Sequence, residues 1–351
     1  MTRAVPESRM PRHAPEGVRC RPLPSRRSLA PARGFSLIEL MVALAIGLLL
    51  TSGALGVYTN SRTTLQTTER LAQLQDNSRF ILDLMEPDVR AAGFWGLTNR
   101  TDFVAGRAGP ADPVSIGVAN DCEANWSIDI DRPIEGSNGA NPYALTCLFA
   151  PDAHVPGTDV LVVRHASDTP VPAGTLEPGR IYIRADESHA QIFEGVAEPP
   201  GFGPEAQDFE LETHAYFVAQ NSDFAGALPS LRRLSLSDGG AAPEVSEAEI
   251  LPAVEDMQVQ VGLDTDGDGS VNMYVNPVGG LDPTQILSVR LWLRLRAETT
   301  ELAFVDQARY LYADQDYSPA TTPSPDDDAL RRLLVTKTIA LRNRLVAPNA
   351  P

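Results

Sequence analysis

The sequence predicts an α+β fold in which one long N-terminal helix is followed by a β-rich domain. A nearly uncharged apolar run at residues 35–58 continues into an amphipathic stretch that ends near residue 92. Beyond it, short alternating segments are separated by turns rich in Pro, Gly and Asp. Because no helical period recurs between these segments, we expect an antiparallel sheet. With 351 residues, 43% of them hydrophobic, the chain is long enough to bury a sizeable core.

The first 34 residues are predicted to form a basic leader that lies outside the fold. They contain eight arginines and two acidic residues, so they carry +6. The whole chain carries −17, and the remaining 317 residues therefore carry −23. Binding to phosphates requires clustered Lys and Arg, so no nucleic-acid partner is expected for so acidic a chain. Such asymmetry is typical of a targeting segment before an exported protein.

The apolar run at residues 35–58 has the length and composition of a membrane-spanning helix. It holds one charge, Glu39, in 24 residues, and about 20 apolar residues cross a bilayer. The arginines before it place the N-terminus in the cytoplasm by the positive-inside rule. The alternative for the run is a buried core helix.

Glu39 is the informative residue of this run, because a carboxylate in a spanning helix is costly and usually functional. It lies four residues after Phe35. If the chain were cut between Gly34 and Phe35, the new amino group would lie one helical turn away. Glu39 could then neutralise that charge or the same charge on a neighbouring copy; the alternative is an acid that snorkels to the membrane surface.

The segment Arg33 to Leu40, RGFSLIEL, resembles the type III signal of type IV prepilins and pseudopilins. The resemblance implies that a prepilin peptidase cleaves between Gly34 and Phe35 and N-methylates Phe35, and that Glu39 docks the subunit into a filament. It also implies a single-pass protein of the bacterial inner membrane, with its C-terminus in the periplasm, that later reaches the pilus or cell surface. The implied partners are other minor and major pilins, the peptidase and the inner-membrane pilus assembly platform.

Residues 59–92 are predicted to extend the helix as an amphipathic half that packs on the β-rich domain, as in pilins. Its apolar stripe recurs at helical spacing and consists of Leu71, Leu74, Ile81, Met85 and Val89, with Leu82 beside it. Pro87 should weaken the last turns, and Gly93 is a candidate C-cap. The membrane half contains Gly47, Gly53 and Gly56, which favour either local melting of the helix or close helix packing.

Residues 93–351 are predicted to form a β-rich periplasmic or extracellular domain. The clearest strand is residues 288–296, SVRLWLRLR, in which apolar residues alternate with Arg or Trp. The arginine face suggests either a phosphate-binding ladder or, as we expect, a solvated face paired with acids of a neighbouring strand. Further strands are predicted at residues 159–165, 180–184, 213–219, 231–236, 257–263, 309–313 and 333–341.

Three features resemble the PilW group of minor pilins: AAGF after the long helix, TIALRN near the C-terminus, and a chain far longer than a usual major pilin. The function expected from this resemblance is that of a minor pilin that primes a type IV pilus or is incorporated into it. The alternatives are a minor pseudopilin of a type II secretion system and an uncleaved, membrane-anchored binding module.

Cys122 and Cys147 are the two cysteines that remain once Cys20 leaves with the leader. In an oxidising compartment an even pair normally forms a disulfide, which is the pairing we expect. The alternative is two buried thiols.

The segment from Asp264 to Gly269, DTDGDG, has the start of an EF-hand-like calcium loop. Asp264, Asp266 and Asp268 could converge on Ca²⁺, the one cofactor the sequence suggests. Position twelve, which holds a bidentate Glu in the full motif, is Val275. The alternative is an acidic β-turn.

No sequence motif of an enzyme is present. The chain lacks a P-loop, HExxH, GxSxG and a dinucleotide fingerprint. Its five histidines are scattered, with no pair at i and i+4. We therefore expect a protein that acts without catalysis.

Overall fold

The computed structural model describes residues 34–98, 100–107, 116–143, 154–195, 197–301, 304–319 and 329–343. One long apolar N-terminal helix and a mostly antiparallel β domain confirm the predicted α+β fold class. By its contacts the chain divides after Thr63 into two units, the second of which begins at Thr64. The predicted leader, including Cys20, lies outside the described residues.

Helix α1 is continuous over 55 residues, Leu37–Ala91, close to the predicted span. Pro87 lies inside it and does not interrupt it. The helix ends where the sequence predicts a C-cap, since Gly93 has φ +78°, which disfavours residues with a side chain. The Gly93 N–H donates to the carbonyl of Arg164 at 3.1 Å, so the chain leaves the helix against a strand.

The buried face of the helix in the second unit follows the predicted stripe, with one correction. Leu74, Ile81, Met85 and Val89 are buried, but Leu71 is 42% exposed because it precedes the turn at which the core begins. The same face also buries two polar residues, Ser78 and Asp88. A polar residue on an apolar stripe needs a partner inside the domain.

The first sheet has eight strands. They are β1 Val104–Ala105, β2 Ile134–Ser137, β3 Val160–Ala166, β4 Ile181–Ala185, β5 Ala190–Glu194, β6 Gln207–Ala219, β7 Ser230–Asp238 and β8 Pro243–Pro252. Their order is β1-β5-β4-β6-β3-β2, with β7 on β6 and β8 on β7. All pairs are antiparallel except β1 with β5.

The second sheet is antiparallel and has the order β10-β9-β11-β14. Its strands are β9 Val254–Leu263, β10 Met273–Val275, β11 Ile286–Arg296 and β14 Arg332–Ala340. A separate hairpin pairs β12 Tyr310–Tyr312 with β13 Gln315–Tyr317.

Strand β11 has the predicted apolar face, but the opposite face is not simply solvated. Arg294 is 8% exposed, and its Nε lies 3.1 Å from Glu255 Oε2 on β9. The guanidinium also stacks 3.6 Å from the ring of Tyr317, because the β12–β13 hairpin covers this end of the sheet. The expected pairing with acids is present; the expected solvation is wrong at Arg294.

Each of the predicted strands overlaps an observed one, whereas β2, β5 and β8 are among the observed strands that were not predicted. Strand β8, PEVSEAEILP, is rich in Glu and only half-buried. Strand β2 contains glycine, and β5 is five residues long. Such strands owe their pairing to neighbours and not to an apolar alternation of their own.

One hydrophobic cluster joins the second half of the helix to both sheets. It combines the helix stripe with buried side chains of β3 and β6 from the first sheet and of β9 and β11 from the second. The helix face from Leu74 to Ala92 is therefore part of the domain core, as expected for an amphipathic helix whose stability comes from packing.

Candidate functional site

The predicted cleavage site lies in exposed, non-helical backbone. Gly34, Phe35 and Ser36 precede helix α1, and Phe35 is 88% exposed. A Cβ added at Gly34 would meet no atom within 4 Å, so packing within the chain does not require glycine there. The peptide between Gly34 and Phe35 is thus accessible, and its glycine is free to serve recognition by another protein.

Glu39 caps the start of the helix in this structure. Its Oε2 accepts a hydrogen bond from the Ser36 N–H at 3.0 Å, which satisfies one of the backbone donors left free at a helix N-terminus. The carboxylate is exposed and lies beside the Phe35 end of the chain. After cleavage, the amine of Phe35 could therefore replace the Ser36 N–H as the partner of this carboxylate.

The apolar surface of the N-terminal unit has no partner among the residues that the structure describes. Every residue from 34 to 63 is exposed, and no part of the most apolar window of the helix is buried. The helix is long and apolar enough, by length and composition, to cross a membrane. The prepilin signal and this helix together support membrane anchoring.

Two threonine hydroxyls in this unit form hydrogen bonds within the helix, as a membrane environment requires. Thr51 and Thr59 donate to the carbonyls of Gly47 and Gly56, at 2.7 and 3.0 Å, so neither hydroxyl needs an outside acceptor. A Cβ at Gly47, Gly53 or Gly56 would meet nothing within 4 Å. No contact with another described residue explains these glycines, so the two predicted roles, local melting and packing against another helix, both stay predictions.

The C-terminal strand holds the last turns of the helix in the second unit. Lys337 on β14 pairs with Glu86, and this hydrogen bond lowers the pKa of Glu86. The N–H of Arg342 donates to the carbonyl of Arg90 at 3.1 Å, and Asn343 Nδ2 donates to that of Ala91 at 3.1 Å. The carbonyls at the helix C-terminus are thus satisfied by the end of the described chain.

A buried polar cluster, which the sequence analysis missed, lies between the helix and the first sheet. Asp88 Oδ1 lies 2.6 Å from His165 Nε2 on β3 and 2.8 Å from His214 Nδ1 on β6. Its Oδ2 accepts from the Tyr216 hydroxyl at 2.7 Å. Glu212 Oε2 lies 3.8 Å from His165 Nε2. We call these five residues the Asp88 cluster.

The geometry of β3 and β6 explains why these side chains meet. His165 and Glu212 are direct cross-strand partners, and Glu212, His214 and Tyr216 follow at intervals of two along β6. Side chains two apart on a strand point to one face. The signal in the sequence was ExHxY, a strand spacing, together with an acid on the apolar helix stripe. A search for histidines at helical spacing could not find it.

The charges of the Asp88 cluster support one another. Burial lowers the pKa of His165, but the hydrogen bond and charge of Asp88 outweigh it, and the pKa lies above its ordinary value. Burial would raise the pKa of Asp88, yet the two imidazoles hold it well below its usual range. Burial and the Asp88 charge raise the pKa of Tyr216, which stays a hydrogen-bond donor.

The three aspartates of the DxDxDG loop converge as predicted, with one carboxylate oxygen of each lying within 4.8 Å of the others. Asp264 accepts from the N–H groups of Gly267 and Gly269, and Asn272 Nδ2 donates to Asp266. These bonds close the loop by themselves, between β9 and β10. Calcium binding remains a prediction.

Of the two cysteines in the predicted disulfide, the structure describes Cys122. Cys122 is buried in a cluster with Trp126 and Tyr143. Cys147 lies outside the described residues, so its pairing with Cys122 remains a proposal.

Two family profiles match the chain. Residues 30–55 match the prokaryotic N-terminal methylation motif, which covers the predicted cleavage site and Glu39. Residues 215–343 match the profile of the type IV pilus-assembly protein W, PilW, from β6 to the end of the described chain. These two matches support a type IV pilin or PilW-like protein. The resemblance found in RGFSLIEL and in the C-terminal strand is thereby confirmed.

Solved structures that match include a type IV-like pilin from Thermus thermophilus. It is 16% identical, and the match covers 54% of this chain and 80% of that one with a TM-score of 0.24. At this score the match carries no argument about the present chain. The comparison with curated protein sequences gives no match.

Proposed function

We propose that this PilW-like pilin is a minor pilin that primes a type IV pilus or is incorporated into it. The observation that carries the proposal is the presence of a prepilin methylation motif and a PilW region on one chain. Proteins of the pilin class are structural, so the proposed work is non-covalent and needs no catalytic residue. Other minor and major pilins are the proposed partners.

Assembly would use the N-terminal unit. A prepilin peptidase of the inner membrane cuts between Gly34 and Phe35 and methylates the new amine, while the domain of the second unit lies in the periplasm. The exposed apolar helix then leaves lipid for a bundle of like helices, guided by the assembly platform, and ends on the pilus or the cell surface. In that apolar bundle, Glu39 pairs with the N-terminal amine of Phe35 on its own or a neighbouring subunit.

The test is complementation of a deletion strain with charge variants of the helix. Glu39→Gln keeps the size and hydrogen-bonding capacity of the side chain but removes its charge. Loss of one partner of a desolvated charge pair costs about 2–5 kcal/mol, so we expect at least about tenfold fewer surface filaments. Membrane levels of the subunit should stay at those of the wild type.

Glu69→Gln is the matched control, because Glu69 is exposed on the same helix and lies outside the apolar run. It should restore filaments fully. Equal filament numbers with Glu39→Gln and the wild type would contradict the docking role of Glu39.

The same deletion strain separates the two alternatives. Loss of protein secretion with normal pili would identify a minor pseudopilin of a type II secretion system. Normal pili and secretion, with an uncleaved leader, would identify a membrane-anchored binding module.

A further inference from the structure

The ring of His165 has a hydrogen acceptor at both of its nitrogens. Its Nδ1 lies 2.8 Å from the carbonyl oxygen of Ala166, which accepts and cannot donate, so Nδ1 carries a proton. In the neutral ring, Nε2 then holds a lone pair, and it faces the Asp88 carboxylate at 2.6 Å. Two acceptors at that distance repel each other. Either a second proton or a cation must lie between them.

Four potential metal ligands surround this contact, more than the two groups that would share a proton. One donor atom each from Asp88, His165, Glu212 and His214 lies within 4.8 Å of the others. Zinc bonds of about 2.0–2.1 Å place tetrahedral ligands about 3.4 Å apart. Three of the six separations among these atoms, 2.6, 2.8 and 3.8 Å, lie within about 1 Å of that value, and the other three are at most 4.8 Å.

We propose that Asp88, His165, Glu212 and His214 form a site for a divalent transition-metal ion, with Zn²⁺ as the expected occupant. Two imidazoles and two carboxylates are ligands that zinc accepts. The carboxylates bring two negative charges, which one divalent cation neutralises. Calcium and magnesium prefer oxygen ligands alone and do not fit the imidazoles.

Groups around the site would orient its ligands. The Ala166 carbonyl fixes the tautomer of His165 that leaves Nε2 free to bind a metal. The Tyr216 hydroxyl holds the second oxygen of Asp88 at 2.7 Å. The His165 and Asp88 side chains are buried, whereas that of Glu212 is 37% exposed. An ion would therefore enter past Glu212 and reach the buried pair last.

The site would connect the last turns of the helix to two strands of the sheet. Asp88 is on the helix, His165 is on β3, and Glu212 and His214 are on β6. A bound ion stabilises the folded state alone, because the unfolded chain does not hold these ligands together. We therefore expect it to strengthen the attachment of the helix to its domain.

The test is zinc titration of the full chain in detergent micelles after removal of metals with a chelator. We expect one equivalent of Zn²⁺ by calorimetry. The midpoint of thermal unfolding should rise by about 5 °C when free zinc exceeds its dissociation constant about 100-fold. Cobalt added in place of zinc should give the visible absorption bands of a four-coordinate site.

The double variant His165→Gln, His214→Asn removes the two imidazole ligands and is expected to retain the fold. A Gln amide nitrogen reaches the place of His Nε2, and an Asn amide nitrogen that of His Nδ1, so both can still donate to Asp88. This variant should lose the equivalent of zinc and the thermal shift. His189→Asn, at an exposed histidine outside the cluster, should retain both.

Two results would overturn the proposal. One is no zinc binding by the wild type up to about 100 μM, which would leave a proton as the sole occupant between His165 and Asp88. The other is equal zinc binding by the wild type and the double variant, which would place the metal elsewhere on the chain.

Discussion

At the scale of single residues, a few buried polar side chains connect the elements of the second unit. Arg164, on β3, is fully buried although its side chain is charged. Its Nε donates to the carbonyl of Trp126 at 3.0 Å, its Nη1 to that of Arg132 at 2.7 Å, and its Nη2 lies 3.1 Å from Glu135 Oε2. One guanidinium thus orders the segment before β2 against β3.

The first prediction concerns this arginine. Arg164→Met keeps the aliphatic length but removes the guanidinium that donates to the carbonyls of Trp126 and Arg132 and pairs with Glu135. Leaving a buried acceptor without a donor costs about 1–3 kcal/mol, so we expect the free energy of unfolding to fall by about 2–4 kcal/mol. Urea unfolding of the full chain, followed by tryptophan fluorescence, measures it.

Arg100→Met is the matched control, because Arg100 forms an exposed pair with Asp102. Its unfolding midpoint should equal that of the wild type. The account of Arg164 is wrong if the two variants unfold at the same urea concentration.

At the scale of elements, the sequence predicted what depends on local pattern. Helix α1 and the alternation of β11 follow from apolar periods of 3.6 and 2, and the apolar residues expected to be buried are buried apart from Leu71. The polar residues buried beside them, Ser78, Asp88 and Arg294, were not expected. Strand β3 shows the limit of such reasoning. All seven of its residues are buried, including Arg164 and His165, because both of its faces are covered.

The Asp88 cluster and Arg294 could not be predicted because they depend on tertiary packing. The cluster needs the helix, β3 and β6 in contact at one register, and no single segment contains that information. Arg294 is buried by a hairpin that lies outside its own sheet. By contrast, the N-terminal signal is local in sequence, so Gly34, Phe35 and Glu39 could be named from the sequence alone.

The second prediction concerns calcium binding by the aspartate loop between β9 and β10. Three aspartates converge, but the bidentate Glu is missing, so we expect weak calcium binding at millimolar concentration. Calorimetric titration of the full chain should show heat that Asp268→Ala abolishes. Asp76→Ala, at an exposed acid on the helix, should leave it unchanged.

The calcium prediction fails if the wild type gives no heat at millimolar calcium. It also fails if Asp268→Ala gives the same heat as the wild type. Either outcome would leave the loop as an acidic turn closed by its own hydrogen bonds.

At the scale of the whole molecule, charge and apolar surface are separated along the chain. The basic residues of the leader precede a helix with a single charge, and the acidic excess belongs to the rest. The domain buries its own core, whereas the N-terminal unit buries none of its apolar window. This division is what a subunit needs if the helix is to be covered by lipid first and by neighbouring helices later.

The mature N-terminus tests the central claim most directly. The full-length gene is expressed in its own bacterium, and the membrane-bound protein is analysed by N-terminal sequencing and intact mass. We predict that the chain begins at Phe35 and carries one methyl group on its amine. Gly34→Leu should retain the leader if the peptidase requires glycine before the cut. A Cβ at this position meets no atom within 4 Å, so the substitution should not disturb folding. A wild-type chain that keeps residues 1–34 would contradict the account.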